Sequence, residues 1–298
     1  MSNVPENAAS IYDLGYQRYT GERIGRRQAI KTIYVEGLRG IFGLGRSSAA
    51  KIAPWTLVVI SMLPAVTLLA IGIIAGGDGS ADDIWGHHEY FSLVSFVLAL
   101  FIAIVGPDVV GRDQRNRSIS LYFSRALSRS DYVLAKYAAT TTGLLLLTLL
   151  PQAVLYVGNA LIVESFSGYI TEEANLILPI VGSSLLASAF LAATGLFIAS
   201  LTPRRAFATV GIILVMIVTS VVAGIMLELD ASPLALLIYL SPIDVIDGFG
   251  VFLFDVPVQE NSTLAAAGYE PFTYAIAAVG ASVGAVGLLV RHYLRLQA

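Results

Sequence analysis

The sequence contains no cysteine, so disulfides, cysteine-ligated zinc and thiolate redox chemistry are excluded by inventory. Charge is scarce as well. Only 13% of the 298 residues are Asp, Glu, Lys or Arg, where a soluble domain carries about a quarter. No Gly-rich loop leads into Lys-Ser or Lys-Thr, and no polar stretch is long enough for a nucleotide fold, so ATP is not expected to bind this chain. His-Glu-x-x-His and Ser/His arrangements are missing too, which argues against an intramembrane enzyme. Gly280-Ala281-Ser282-Val283-Gly284 has the spacing of a nucleophile elbow. It lies in a run rich in Ala and Gly, where small residues serve helix packing rather than a strand-to-helix turn.

What the chain does have is apolar length. Hydrophobic residues make up 56% of it, and the mean hydropathy is +0.75. They fall in blocks of about twenty, the number a helix needs to cross a hydrocarbon core of about 30 Å. The blocks predict six transmembrane helices, at Pro54–Ala75, Phe91–Val110, Tyr137–Val163, Leu176–Leu201, Phe207–Leu227 and Phe272–Val290. Between the last two, Leu234–Val258 is apolar but carries Asp244, Asp247 and Asp255 with Pro242, Gly248 and Gly250. A lipid-facing span would not tolerate three carboxylates at about 2.5–3.5 kcal/mol each. Short external re-entrant or surface helices are expected there. The fold class is thus an all-α membrane protein, divided into an N-terminal region (1–53) and a six-helix domain (54–298), with a loop at 111–136 and an external segment at 228–271. The first apolar block begins too far along for a cleaved signal peptide, so the first span is expected to persist.

Lysine and arginine set the orientation, because loops rich in them stay cytoplasmic. Eight lie before the first span, six in the second loop, two in the fourth (Arg204, Arg205) and two after the last span (Arg291, Arg295), which is all 18 in the chain. The other side has none, yet it holds 14 carboxylates, among them Glu89, Glu173, Asp244, Asp247 and Glu270. This predicts both termini in the cytoplasm and a multi-pass protein of the cell membrane. An acidic outer face is ordinary solvated surface unless it collects cations.

Ahead of the first span, Ile30, Ile33, Tyr34, Gly37, Leu38, Ile41 and Phe42 recur at helical spacing, with Lys31 and Arg39 between them. An amphipathic helix on the inner membrane surface is predicted, either a simple anchor or a surface that also meets a cytoplasmic partner. The second loop, GRDQRNRSISLYFSRALSRSDYVLAKY from Gly111 to Tyr137, reads as a short helix over Ile119–Phe123, a turn and a helix start capped by Ser130 with Asp131.

That loop resembles the coupling segment of the type-2 (ABC-2) transporter permeases, in which a charged stretch precedes Leu-Leu-Ser-Arg-Pro-Val-Ser-Arg and an aliphatic run ending Gly-Lys. The matching residues here are Tyr122, Phe123, Ser124, Arg125, Ala126, Leu127, Ser128 and Arg129, followed by Tyr132-Val133-Leu134-Ala135-Lys136. Tyr12 to Tyr16, Gly21 to Arg26, and Tyr239-Leu240-Ser241-Pro242 are also similar to segments of that family. The resemblance implies a coupling role for Tyr122, Phe123, Ser124, Arg125, Leu127, Ser128 and Arg129, docked in a groove of a cytoplasmic ABC ATPase subunit present in two copies. ATP and Mg would sit on that subunit, and a second permease, another copy of this chain or a related one, would complete the transporter, an exporter. The alternative is a non-transporting membrane component that recruits a cytoplasmic partner through the same basic surfaces. The lipid bilayer is the remaining partner, and no nucleic acid is expected.

Other residues stand apart. Asp108 follows Pro107 near the inner end of the second span and is expected to pair with Arg112 one turn on, either closing the helix or gating a path. His87 and His88 with Glu89 mark the outer end of the same span, where adjacent histidines do not share a helix face and an interfacial role outranks a metal site. Asn261-Ser262-Thr263 is a glycosylation sequon on the outer side.

Overall fold

Six long apolar helices organise the chain. The structure, a computed structural model, describes residues 25–74, 86–116, 127–163, 165–229 and 232–295. Every regular element among them is helical. These are α1 (Arg26–Ile41), α2 (Ala49–Ile74), α3 (Glu89–Val109), α4 (Gly111–Arg115), α5 (Arg129–Ile162) and α6 (Phe166–Glu172). They continue with α7 (Ile177–Ser200), α8 (Arg205–Glu228), α9 (Pro242–Phe254), α10 (Thr263–Ala267) and α11 (Pro271–Arg295), with 3₁₀ turns at Ala174–Leu176 and Ser232–Leu240. Helices α2, α3, α5, α7, α8 and α11 are long and apolar enough to cross a membrane.

The predicted starts shift where a cap overrides hydropathy. Helix α5 begins at Arg129, eight residues before its apolar block, because Ser128 and Asp131 form a reciprocal box. The Ser128 hydroxyl accepts from the Asp131 amide at 3.1 Å, and the Asp131 carboxylate accepts from the Ser128 amide at 3.1 Å. Ser130, the expected cap, lies inside the first turn instead. At α9, Ser241 accepts from the Asp244 amide at 3.3 Å while Pro242 fills the first helical position, where its missing N–H costs nothing.

Helix α7 is the central post, packed against α3, α5, α8, α9 and α11. Its buried positions are largely small: Ser183, Ser184, Ala187, Ser188, Ala192, Ala193, Gly195 and Ala199. Small residues let backbones approach, which is how helices associate where no hydrophobic effect separates protein from lipid tails. The approach is tightest at Gly195, where a Cβ would stand 2.2 Å from Ile102 Cγ1. Across from it, Thr148 and Ser188 share a hydrogen bond at 3.2 Å. Tyr90, fully buried, has its hydroxyl 2.8 Å from the Leu147 carbonyl and 3.2 Å from that of Ser61, so one phenol ties α2, α3 and α5 together.

Leu234–Val258 becomes the second 3₁₀ turn and α9. At 13 residues, or about 20 Å, α9 is too short to span. It is wedged among α3, α7, α8 and α11, with Ile246, Gly248 and Phe249 buried. Its carboxylates are held by protein: Asp244 accepts from Ser220 at 3.1 Å and from Thr263 at 2.7 Å, and Asp247 accepts from Ser92.

The apolar stripe of α1 is also covered by protein. Arg26 meets Asp131, Tyr34 lies 3.0 Å from Thr142 Oγ1, and Ile41 lies against Gly143, so α1 runs alongside the first turns of α5 in the same direction. Ile33, Gly37 and Ile41 are buried there. A sharp turn then leads the chain into α2 through Gly43, at φ 65°, whose missing Cβ would lie 2.5 Å from the Ala50 carbonyl oxygen.

Candidate functional site

The ends of α3, α5, α7 and α11 nearest the basic segments meet the starts of α2 and α8, and polar side chains there close on one another. Asp108, in the last turn of α3, is the hub. Its carboxylate lies 3.2 Å from Arg46 in the α1–α2 turn, 3.7 Å from Arg205 at the start of α8 and 3.8 Å from Arg115 in α4. The expected partner Arg112 is not among them. An i+4 residue is the nearest choice along one helix, but the chain turns at Val110 before α4 begins, and Arg112 points out as an exposed side chain. Three guanidiniums from three segments therefore share one carboxylate.

One turn further, Asp113 accepts from the Tyr132 hydroxyl at 2.7 Å and pairs with Lys136 at 2.9 Å, linking α4 to the base of α5. Gln114 donates to the Ser200 carbonyl at 3.4 Å and lies 3.3 Å from the Tyr293 hydroxyl. Arg26 grips Asp131 through two parallel bonds of 2.7 and 2.8 Å, a planar fork that a lysine could not reproduce.

Among the residues read as a coupling element, Tyr122, Phe123, Ser124 and Arg125 lie outside the described residues. Leu127 is buried, Ser128 caps α5, and Arg129 donates to the carbonyls of Leu294 at 2.6 Å and Tyr293 at 3.3 Å. A cation at those carbonyls complements the negative end of α11. Arg129 is therefore engaged inside the chain. Of the predicted amphipathic set, Ile33 is buried, Ile30, Tyr34 and Leu38 are half-buried, and Arg39 is exposed and paired with Glu36 at 3.2 Å.

At the opposite end, His87 is buried among protein side chains. Its Nδ1 lies 2.5 Å from Gln152 Oε1, Gln152 donates back to the His87 carbonyl at 2.7 Å, and the ring stacks near Phe254. His88 pairs with Glu89 at 3.3 Å. Sequence reading missed the Arg46, Arg115 and Arg205 cluster, the Asp113–Lys136 pair and the Arg26 fork. Each joins residues distant in the chain or separated by a turn, and no local spacing signals them.

The hub makes a direct prediction. Replacing Asp108 by Asn keeps the shape and removes the charge, leaving three arginines to repel one another at about a fifth of full exposure for the central group. Partial solvation moderates the cost of a broken buried pair to about 1–2 kcal/mol. The thermal midpoint of the detergent-solubilised protein should fall by several degrees, and about 0.5 M salt should recover part of the loss by screening. An unchanged midpoint would show that Asp108 holds nothing together.

No family model matches the chain, and no curated protein matches it.

Proposed function

We propose that this chain is the membrane-spanning permease subunit of an ATP-driven transporter of the type-2 ABC class, working as an exporter with both termini in the cytoplasm. Two copies of a separate ABC ATPase bind ATP and Mg, and a second permease copy completes the path. The observation that carries the proposal is the bracing of the second loop. One side of it is the short helix α4, held to α5 by Asp113. The other is the Ser128–Asp131 box, tied to α1 by Arg26 and to the end of α11 by Arg129. A segment that must receive force from a partner needs stiff ends; in the chain the coupling-like residues Tyr122 to Leu127 lie between these two anchors, and Ser128 and Arg129 belong to the second.

In this reading, dimerisation of the ATPases pushes on the loop, and the bundle switches access between sides. The outward faces of α1 and of the α1–α2 turn lie at the inner membrane surface, and α9 with the preceding 3₁₀ turn forms a re-entrant wedge from outside. The bias of all 18 basic residues toward one side supports that orientation. The test is to purify the chain from its native membrane, identify any Walker-containing ATPase that stays bound, and screen solutes for stimulation of its hydrolysis. Failure to retain an ATPase under mild detergent would sink the proposal.

Topology can be checked separately on a clean background, since there is no native cysteine. Single cysteines at Gly79, Ser167 and Ser262 should react with an impermeant thiol reagent applied to intact cells. Cysteines at Ser47, Ser120 and Gln297 should react only after lysis. External labelling at position 120 would reverse the orientation and remove the coupling assignment.

A further inference from the structure

Between α1, the end of α3, α4 and the base of α5 lies a polar cavity of about 470 Å³ lined by Arg39, Arg46, Asp108, Arg112, Asn116 and Lys136, among others. It shares Gly40, Arg46 and Asp108 with a second cavity of about 300 Å³. That neighbour is apolar along one wall, where Ala49, Ala53 and Pro54 of α2 face Ile104 and Val105 of α3.

Charge around the pair of cavities does not balance. Arg39, Arg46, Arg112, Arg115, Lys136 and Arg205 face three carboxylates, those of Glu36, Asp108 and Asp113. Glu36 answers Arg39 and Asp113 answers Lys136, while Asp108 alone answers three arginines. Arg112 makes no ion pair among the described residues and lines the polar cavity with its side chain exposed. Three positive charges are thus in excess around a bowl that opens into a slot with one apolar wall, formed by α2 and α3.

We infer that this bowl binds the phosphate headgroup of an acidic membrane lipid, with the lipid's glycerol and first acyl carbons in the slot between α2 and α3. The shared chemistry is a phosphate anion on guanidinium donors, whose planar forks suit phosphate oxygens. The slot selects the lipid over free phosphate, because a soluble anion gains nothing from Ala, Pro and Ile walls. Basic pockets at the inner ends of spans are suited to acidic headgroups in this way. The inference requires no transport activity and stands apart from the coupling proposal.

The test reconstitutes the full chain in phosphatidylcholine vesicles containing about one-fifth phosphatidylglycerol and counts the lipids retained on the intact protein by native mass spectrometry. Each basic residue near an acidic headgroup strengthens attachment about fivefold, so Arg39→Gln with Arg112→Gln should weaken phosphatidylglycerol retention about thirtyfold while leaving the Asp108 pairs in place. Leu44→Trp, at the exposed lip of the bowl, keeps every charge and should lower retention by obstruction, which guards against misfolding of the charge variant. Arg291→Gln, outside the cavity lining, should retain lipid as the parent does. Equal retention of both lipids by the parent, or an undiminished preference in both cavity variants, overturns the inference. Displacement of phosphatidylglycerol by millimolar inorganic phosphate overturns it in favour of a soluble phosphate ligand.

Discussion

Substitution of Arg125 by Glu is expected to abolish substrate-stimulated ATP hydrolysis by the assembled complex while leaving membrane expression and thermal stability of the chain unchanged. If Arg125 faces an ATPase groove, the reversal sets like charges against each other across a protein interface, which can cost several kcal/mol. The second loop keeps five other basic residues, so its topogenic signal survives. Arg129 is a poor companion for this test. Its guanidinium closes the end of α11, so Glu there would aim a carboxylate at the carbonyls of Tyr293 and Leu294 and at the negative end of the helix. Arg129→Glu should therefore lower the thermal midpoint as well as activity, and the two losses would be confounded. Arg205, paired with Asp108, is unsuitable as a control for the same reason. Arg204, exposed at the start of α8, serves instead, and Arg204→Glu should reduce hydrolysis only modestly. Unimpaired hydrolysis in Arg125→Glu would remove the coupling role, and equal losses at 125 and 204 would point to a general surface-charge effect.

The second large effect is structural. Gly195→Ala places a methyl group 2.2 Å from Ile102 Cγ1 and 3.1 Å from Cδ1, and Ile102 is fully buried. Overpacking of this kind costs about 1–3 kcal/mol, and Gly195→Leu should exceed that and prevent α3 and α7 from closing. Ile102→Ala alone leaves a cavity and costs about 2–5 kcal/mol. Combined with Gly195→Ala it should cost less than the two losses added, because the new methyl occupies the space the isoleucine left. Thermal unfolding of the four proteins in one detergent measures the coupling. Strict additivity, or a Gly195→Ala protein as stable as the parent, would mean that the helices do not approach this closely.

Much of the architecture could be read from hydropathy, and the physical reason is length. Six apolar blocks of about twenty residues have few alternative fates, and all six predicted spans fall on long helices. What hydropathy could not assign was the partner of each apolar face. The stripe from Ile30 to Phe42 was expected on lipid and packs along α5, because helical periodicity reports that one face is apolar without saying what covers it. Leu234–Val258 was expected to form short re-entrant or surface helices rather than a lipid-facing span, because of its carboxylates. Its residues Asp244 and Asp247 are satisfied by Ser220, Thr263 and Ser92, hydroxyls on other elements whose convergence no local pattern announces. The same limit applies at the basic end. Asp108 stood out as a carboxylate near membrane depth, but its partners Arg46 and Arg205 lie 62 and 97 positions away and only folding brings them together.

Helix α5 spans 34 residues, about 51 Å, while the hydrocarbon core takes only about 30 Å of it. Its polar start, Arg129 to Lys136, shows which end carries the surplus. Along that overhang α1 is clamped at Arg26, and along the first apolar turns beyond it at Tyr34, Gly37 and Ile41, so two helices lie side by side as a double-walled strut. Paired rods resist bending far more than a single one, and a sideways load at Ser128 would be delivered undiminished to the membrane-embedded part of α5. The first place where α5 loses a backbone hydrogen bond is Pro151, deep in the span. Deflection should therefore concentrate around that proline, and Pro151→Ala would stiffen the strut through its whole length.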